Sequence, residues 1–331
     1  MQTMRIVAAD IGGTNARFAL AEVAGGRVVS LGEPLKVHTA DHSGLESAWT
    51  AFARHVGSAL PRSAAIAVAC PVGGEVLRMT NNPWVMRPAR MPAELGVDRL
   101  VLINDFGAVG HAVAEAGPEY FRHLCGPDRP LGEGVTSIVG PGTGLGVALL
   151  LRRDGRSEVI ETEGGHIDFA PIDSIEDQLL ARLRKRNRRV SVERIVSGPG
   201  LTAIHEGLCA MEGTAVVPRD DTALWIAAME GSDRMAAAAL DRFCLCLGAV
   251  AGDIALAQGA GGVVIAGGLG LRLADVLPGS GFGQRFTAKG RFESMMAGLP
   301  VKIIVHPEPG LLGATAAFAI RYRGDGADGG T

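Results

Sequence analysis

Three turns rich in glycine, each placed directly after an apolar stretch, constrain this chain more than any other feature. They lie at residues 10–15, 140–146 and 266–270, with the sequences DIGGTN, GPGTGLG and AGGLG. A glycine turn at the end of a β-strand lets backbone N–H groups approach a ligand without obstruction by Cβ atoms. Glycine accounts for 47 of the 331 residues, about twice the usual 7%, so many turns must be tight.

The order strand, glycine turn, returning strand occurs twice, at residues 5–23 and 136–152. Such a weak internal repeat indicates duplication of one α/β unit. Other apolar stretches alternate with helical patterns, which predicts an α/β fold. The sequence also predicts strands at 27–37, 64–72, 99–105, 262–268 and 301–305. It predicts a helix that begins at Leu45 with Ser43 as its N-cap, and a closing helix at 310–320. A further predicted helix has Ser174 as its N-cap and ends in a solvated basic segment at 182–189.

Composition disfavours several classes of protein. The net charge of −3 argues against a general binder of nucleic acids or membrane surfaces. The five cysteines form no CxxC pair, which argues against a disulfide framework or a structural zinc site, and we expect mostly buried thiols. No signal peptide and no apolar run of about 18 residues is present. We therefore expect a cytoplasmic protein without a nucleic-acid or membrane partner.

The glycine turns do not fit the two common nucleotide-binding motifs. A Walker A loop requires a lysine next to its last glycine, and no lysine lies in or near these turns. A Rossmann fingerprint opens a helix, whereas the turn at 140–146 leads into an apolar strand. The turns are instead candidates for another kind of phosphate site.

Two aspartates follow apolar strands and carry the chemistry expected at such a site. Asp10 can hold Mg²⁺ beside a polyphosphate, usually through waters, although a turn-capping role is equally typical of such a residue. Asp105 follows the apolar stretch 100–103, and a carboxylate there can accept a hydroxyl proton as the hydroxyl attacks phosphorus. The alternative for Asp105 is the N-cap of a helix that begins at Phe106.

A second group of polar residues suits a ligand with several hydroxyl groups. Glu163 and His166 flank a glycine pair in EGGH, and carboxylates and imidazoles exchange hydrogen bonds with adjacent hydroxyls. Zinc is disfavoured, because EGGH lacks the further ligands. Glu193 by itself is typical of a surface ion pair, and Asn81 lies in TNNPW, a turn by its Asn and Pro content.

Seven motifs together resemble the bacterial glucokinases of the proteobacterial type. In chain order they are DIGGTNARFAL, TNNPW, INDFGAV, GPGTGLG, EGGHIDFAP, ERIVSGPG and PGLLGATAAF, and they run from about residue 6 to residue 320. The resemblance implies two domains of the ribonuclease-H-like fold of actin and hexokinase, with ATP and sugar in the cleft between them. It implies a small α/β domain at 1–110 plus 305–322, a large α+β domain at 111–304 and a disordered tail at 323–331.

The resemblance also implies roles for individual residues. Asp105 would be the catalytic base that acts on the sugar 6-hydroxyl. The sugar contacts implied are Asn104, Asp105, Glu163, His166 and Glu193, to which we add Asn81. The nucleotide would bind at Ala9, Asp10, Ile11, Gly12, Gly13, Thr14, Gly142, Thr143, Gly144, Gly267 and Gly268, with the metal at Asp10. Ala9 stands where a glycine is common in the family.

These observations predict an ATP-dependent glucokinase that uses Mg²⁺, makes glucose 6-phosphate and ADP, and forms a homodimer. Kinase activity on mannose, fructose or N-acetylglucosamine is an open alternative, because hydroxyl specificity depends on hydrogen-bond geometry. ADP or polyphosphate as donor is also open. A sugar-binding regulator without catalysis is a third alternative, disfavoured because Asp105 and all three turns are present and no helix-turn-helix precedes Met4. The zinc-binding cysteines of the related ROK family are missing.

Overall fold

The computed structural model describes residues 3–79 and 82–323. These residues divide into two compact units. Unit 1 lies within Met1–Gly117 and His306–Thr331, and unit 2 is Pro118–Val305. The predicted tail at 323–331 falls outside the described residues, except for Arg323.

The β-strands are, in chain order, β1 (Met4–Ile11), β2 (Asn15–Ala24), β3 (Arg27–Leu31), β4 (Leu35–His38), β5 (Ser63–Val68), β6 (Leu77–Met79), β7 (Asn82–Met86), β8 (Arg99–Asn104), β9 (Phe121–Cys125), β10 (Gly134–Pro141), β11 (Leu145–Arg153), β12 (Arg156–Thr162), β13 (Gly262–Ile265) and β14 (Val301–Ile304). The α-helices are α1 (Leu45–Val56), α2 (Met91–Leu95), α3 (Asp105–Glu115), α4 (Ser174–Arg184), α5 (Gly198–Met211), α6 (Asp221–Glu230), α7 (Arg234–Gln258), α8 (Gly267–Arg272), α9 (Phe282–Thr287), α10 (Glu293–Ala297) and α11 (Pro309–Arg321).

The two units each contain a sheet with the same strand order. In unit 1 the order is β3-β2-β1-β5-β8, with β4 also paired to β2, and in unit 2 it is β12-β11-β10-β13-β14-β9. In each sheet an antiparallel hairpin, β1-β2 or β10-β11, adjoins a parallel strand, β5 or β13. The predicted α/β class and the predicted internal repeat are therefore confirmed.

Several local predictions are wrong, and each error has a local cause. The strand predicted at 27–37 is two strands, β3 and β4, because Pro34 between them lacks an N–H and has a fixed φ. Helix α1 is capped by Gly44 rather than Ser43. Helix α4 is capped by Asp173, whose carboxylate accepts the N–H of Ile175 and of Glu176, rather than by Ser174.

The third glycine turn is also different from the prediction. Helix α8 begins at Gly267, two residues after the end of β13, so the glycines of AGGLG form the first turns of a short helix. Gly267 has a φ of +76°, which favours glycine because it has no Cβ.

The sheet of unit 1 is buried on both faces. Alternate residues of a strand point to opposite faces, and in β1 Val7 and Ala9 belong to a core with Phe18 and Trp49. Ala8 belongs to the other core, which includes helix α11. Parallel strands covered in this way read as nearly continuous apolar runs, which is why β1 and β5 were easily predicted.

The core of unit 2 is built around the long helix α7. This helix is long and apolar enough to cross a membrane, but 72% of its most apolar window is buried within the structure, as in the core helix of a folded domain. The five cysteines are all free thiols, and four of them are buried, as expected.

Candidate functional site

The first glycine turn, between β1 and β2, has its backbone carbonyls held by buried donors. The Gly12 N–H closes the turn on the Asn15 carbonyl at 2.9 Å. The Gly12 carbonyl accepts a bond from the Asn82 side chain at 3.0 Å, and the Gly13 carbonyl accepts one from the Thr39 hydroxyl at 2.9 Å. A trans peptide unit directs its N–H opposite to its C=O. The N–H groups of Gly13 and Thr14 therefore point away from these donors, as a cradle for an anion requires.

Asn82 and Thr39 were missed by the sequence analysis. Both are buried, with 6% and 3% of their surface exposed. Trp84 holds both of them, because its backbone N–H donates to the Asn82 side chain at 2.9 Å and its indole N–H donates to the Thr39 carbonyl at 3.1 Å. The TNNPW motif contained the signal, but nothing in the motif separated Asn82 from Asn81, which lies outside the described residues.

Asp10 lies in β1 opposite Arg17 of β2. The Arg17 guanidinium is 3.4 Å from the Asp10 carboxylate and 3.2 Å from that of Glu308. Burial raises the pKa of Asp10, and the charge and hydrogen bond of Arg17 offset this only in part. Helix α11 begins beside the same carboxylate, since a methyl group at Gly310 would lie 2.6 Å from the Asp10 side chain. Asp10 is therefore an incompletely neutralised carboxylate at a helix N-terminus.

The surroundings of Asp10 fit a magnesium ion better than a metal held by protein ligands alone. Among residues 3–79 and 82–323, no group of three His, Cys, Asp or Glu side chains is placed to hold a metal ion. Mg²⁺ commonly keeps several waters and takes one or two carboxylates together with substrate phosphates. Asp10 offers one partly exposed carboxylate and so suits that mode of binding.

Helix α3 begins at the carboxyl end of β8, and Asn104 is its N-cap. The Asn104 side-chain oxygen accepts the N–H of Phe106 at 2.9 Å and of Gly107 at 3.3 Å, and its amide nitrogen donates to the Cys70 carbonyl at 3.3 Å. The alternative that made Asp105 the cap is therefore wrong. Asp105 is the first residue of α3, and its carboxylate accepts the Phe106 N–H at 2.9 Å.

The Asp105 carboxylate lies near the Cys70 thiol. Burial raises the pKa of the Cys70 thiol, and the negative charge of Asp105 raises it further.

Helix α11 packs against the elements that carry Asp10 and Asp105. Gly310, in its first turn, leaves room for the Asp10 carboxylate. One turn later, a methyl group at Gly313 would overlap the carbonyl oxygen of Ala108 in α3, so the two helices are packed backbone to backbone. These two glycines explain the PGLLG part of the closing motif, because each of them marks a close approach to an element that carries Asp10 or Asp105.

The second glycine turn joins β10 and β11 in unit 2. The Gly142 N–H donates to the Gly144 carbonyl at 2.8 Å, and the Gly142 carbonyl accepts the N–H of Gly198 at 2.7 Å. The Leu145 N–H donates to the Glu193 carboxylate at 2.9 Å. These bonds do not use the N–H groups of Thr143 and Gly144, which are the candidates for contact with an anion.

The EGGH segment packs against the end of this turn. Residues Gly164–His166 form a short 3-10 helix, and a methyl group at Gly165 would overlap the Leu145 carbonyl oxygen. The exposed side chains of Glu163 and His166 are 3.8 Å apart. Leu145 thus donates its N–H to the Glu193 carboxylate, and its carbonyl oxygen packs against Gly165. The structure therefore brings Glu193, and the segment that carries Glu163 and His166, to one residue of the turn.

The third glycine segment packs against the second. A methyl group at Gly267 would lie 2.7 Å from the Pro141 carbonyl oxygen, so α8 starts beside the turn between β10 and β11. A methyl group at Gly268 would meet nothing within 4 Å, so the space beside the Cα atom of Gly268 is open. The predicted residues Gly142, Thr143, Gly144, Gly267 and Gly268 consequently lie in one region of unit 2.

Comparison with known proteins gives consistent matches over nearly the whole chain. The family model described as Glucokinase matches residues 7–320. The glucokinase of Zymomonas mobilis subsp. mobilis is 62% identical over 320 residues, which cover 96% of this chain and 99% of the relative. The glucokinase of Caulobacter vibrioides is 42% identical over 313 residues, 93% of each chain. The crystal structure of a glucokinase from an Antarctic psychrotroph superposes with a TM-score of 0.83 at 32% identity, covering 96% of this chain and 99% of that one.

Proposed function

The chain belongs to the glucokinase family, and we propose that Asp105 is the general base of its reaction. The chain is an ATP-dependent glucokinase, which transfers the γ-phosphoryl group of ATP to the 6-hydroxyl of glucose and gives glucose 6-phosphate and ADP. Its fold is the predicted one of the actin-like ATPases and hexokinases.

The observation that carries this proposal is the start of helix α3. Asn104, as the N-cap, accepts the N–H groups of both Phe106 and Gly107, whereas Asp105 accepts that of Phe106 alone. A carboxylate at a helix N-terminus is favoured as an anion by the helix dipole, and the anion is the form that accepts a proton. Asp105 takes the proton of the 6-hydroxyl as that oxygen attacks the γ-phosphorus in line.

The remaining sugar hydroxyls are bound by side chains with hydrogen-bonding capacity to spare. The Asn104 amide nitrogen has two hydrogens, and one of them is used on Cys70. Glu193 uses one carboxylate oxygen on Leu145 and keeps the other for a hydroxyl. Glu163 and His166 are exposed and 3.8 Å apart, a spacing that suits adjacent hydroxyls. Asn81 stays a proposed sugar contact.

The nucleotide phosphates are bound by backbone N–H groups. In unit 1 these are the N–H groups of Gly13 and Thr14, whose direction is set by the bonds of Thr39 and Asn82. In unit 2 the turn at 142–144 and the start of α8 supply the others. Ala9 and Ile11 flank Asp10 in β1 and complete the proposed phosphate site.

Asp10 is the proposed magnesium ligand, acting directly or through waters. The ion, when bound, neutralises charge on the phosphates during transfer. Asp10 offers it a carboxylate whose ion-pair partner, Arg17, is shared with Glu308.

The substrate assignment is tested by the unmodified protein with a matrix of substrates. Glucose, mannose, fructose and N-acetylglucosamine are each combined with ATP, ADP and polyphosphate, and kcat/KM is measured for each pair. We expect glucose with ATP to give the highest value, and its activity to be lost when Mg²⁺ is chelated. A higher kcat/KM for another hexose, or for ADP or polyphosphate, would contradict the assignment.

We also propose that the protein is a homodimer in the cytoplasm. The support is the resemblance to the family. Light scattering on the purified protein tests the first part, because a dimer has twice the mass of the 34.3 kDa chain.

A further inference from the structure

The Glu193 carboxylate lies directly over the second glycine turn. Its Oε2 atom accepts the Leu145 N–H at 2.9 Å. A methyl group at Gly144 would lie 2.5 Å from the same oxygen. Gly144 does not have the left-handed backbone that would require glycine. The space that Glu193 occupies is therefore the structural reason for a glycine at this position.

One short segment holds the turn at both ends. Glu193 binds Leu145 at the end of the turn, and the N–H of Gly198 binds the Gly142 carbonyl at its start, at 2.7 Å. The segment itself is fixed, because the buried Ser197 caps α5 and the Trp225 indole donates to the Gly198 carbonyl at 3.1 Å. Because this segment is held in place, a substitution of Glu193 changes the contacts of the turn and not the position of the segment's own backbone.

We propose that Glu193 couples sugar binding to nucleotide binding within unit 2. This inference rests on the proposed function, in which Glu193 binds a sugar hydroxyl and the turn binds phosphates. A carboxylate has two oxygens, and here one of them holds the Leu145 N–H. A hydroxyl bound to the other oxygen restricts rotation of the carboxylate and keeps the neighbouring N–H groups of Thr143 and Gly144 in place. By thermodynamic linkage, the nucleotide raises sugar affinity by the same factor.

Two alanine variants of the same turn separate this coupling from a general effect on the loop. In Gly144→Ala the new methyl collides with the end of the Glu193 side chain, which can move, so the carboxylate leaves Leu145 while the fold is kept. In Gly142→Ala the methyl meets nothing within 4 Å. Neither glycine has a left-handed φ, so the alanine backbone is unstrained in both.

The experiment is titration calorimetry of glucose, alone and with a saturating non-hydrolysable ATP analogue and Mg²⁺. For the wild type we expect the analogue to lower the glucose Kd by about fivefold or more. Gly144→Ala should raise the glucose Kd about tenfold, because the hydroxyl-binding carboxylate is displaced, and should abolish the effect of the analogue. Gly142→Ala, which leaves the Glu193 carboxylate in place, should raise the glucose Kd less than Gly144→Ala does. Wild-type glucose Kd and coupling in Gly144→Ala would overturn the proposal.

A pair of substitutions at Glu193 gives an independent test. The carbonyl oxygen of Gln can still accept the Leu145 N–H, whereas its amide nitrogen cannot accept a hydroxyl hydrogen. Glu193→Gln should therefore bind the analogue more tightly than Glu193→Ala in the absence of sugar, and both variants should lose the coupling. Wild-type coupling in Glu193→Ala would contradict the inference.

The outcome separates this inference from the proposed function. Turnover of glucose by the wild type without any coupling overturns the inference alone. Absence of glucose turnover overturns the proposed function.

Discussion

Asn104 caps helix α3, and its neighbour Asp105 is the first residue of that helix. The Asn104 side chain accepts two N–H groups of the first turn, from Phe106 and Gly107. These are the donors that a helix leaves unsatisfied at its start. Asn104 thus holds two N–H groups at the start of α3, and Asp105 shares one of them, that of Phe106.

The cap makes a prediction about stability. Asn104→Ala should lower the free energy of unfolding by about 1 kcal/mol, the usual effect of losing an N-cap. Asn104→Asp should restore part of this loss, because an aspartate oxygen accepts the same N–H groups but cannot donate to the Cys70 carbonyl. Urea denaturation of the three proteins measures this, and an unchanged midpoint in Asn104→Ala would show that the cap contributes nothing.

The packing of α11 on α3 makes a second prediction. Gly313→Ala places a methyl group against the Ala108 carbonyl and should destabilise the protein by about 1–3 kcal/mol. Its kcat should also fall, since α3 carries Asp105. Gly73→Ala is the matched control, because Gly73 is exposed and its methyl would meet nothing within 4 Å. Equal melting temperatures for the two variants would refute the close packing.

We expect the ionised Asp10 carboxylate to lower the free energy of unfolding of the protein. Burial raises its folded-state pKa, so its ionised form destabilises the fold above that pKa, and the destabilisation disappears as falling pH protonates it. Asp10→Asn should therefore melt at a higher temperature than the wild type at pH 8, with a difference that shrinks towards pH 4, and should lose activity. Arg17 keeps its partner Glu308 in the variant. A variant less stable than the wild type at pH 8 would be the opposite result.

His111, in α3, makes the opposite contribution to the pH dependence. Burial lowers its pKa from 6.5 to about 4, and its Nδ1 atom has no hydrogen-bond partner among the described residues. Between pH 6.5 and 4 the unfolded chain binds a proton that the folded protein does not, so stability falls as the pH falls. His111→Leu should flatten the dependence of the melting temperature in this window. An unchanged slope would mean that His111 is not buried as a neutral group.

The sequence predicted the elements whose signals are local. The apolar runs of β1 and β10 and the glycine turns that follow them are such signals, and the shared order of the two sheets confirms the repeat they indicated. The break between β3 and β4 lies at Pro34, whereas the apolar residues on both sides of this proline favour one continuous strand.

Contacts between residues far apart in the chain could not be predicted from the sequence. The bond between Glu193 and Leu145 joins residues 48 positions apart, and the bond between Asn82 and Gly12 spans 70 positions. Neither contact is visible as a local sequence pattern. A side chain that binds the backbone of another segment does not follow the periodicity of a helix or a strand. Glu193 taken alone therefore looked like a surface residue, and Asn82 like part of a turn.

The central claim is that Asp105 accepts the proton of the glucose 6-hydroxyl. Its most direct test is the pair of kcat and glucose Kd for Asp105→Asn, measured with ATP and Mg²⁺ and by calorimetry. The claim predicts a kcat lower by about 10²–10⁴-fold, with a glucose Kd within about threefold of the wild type, because Asn keeps the size and a hydrogen-bonding oxygen. A kcat equal to that of the wild type would contradict it.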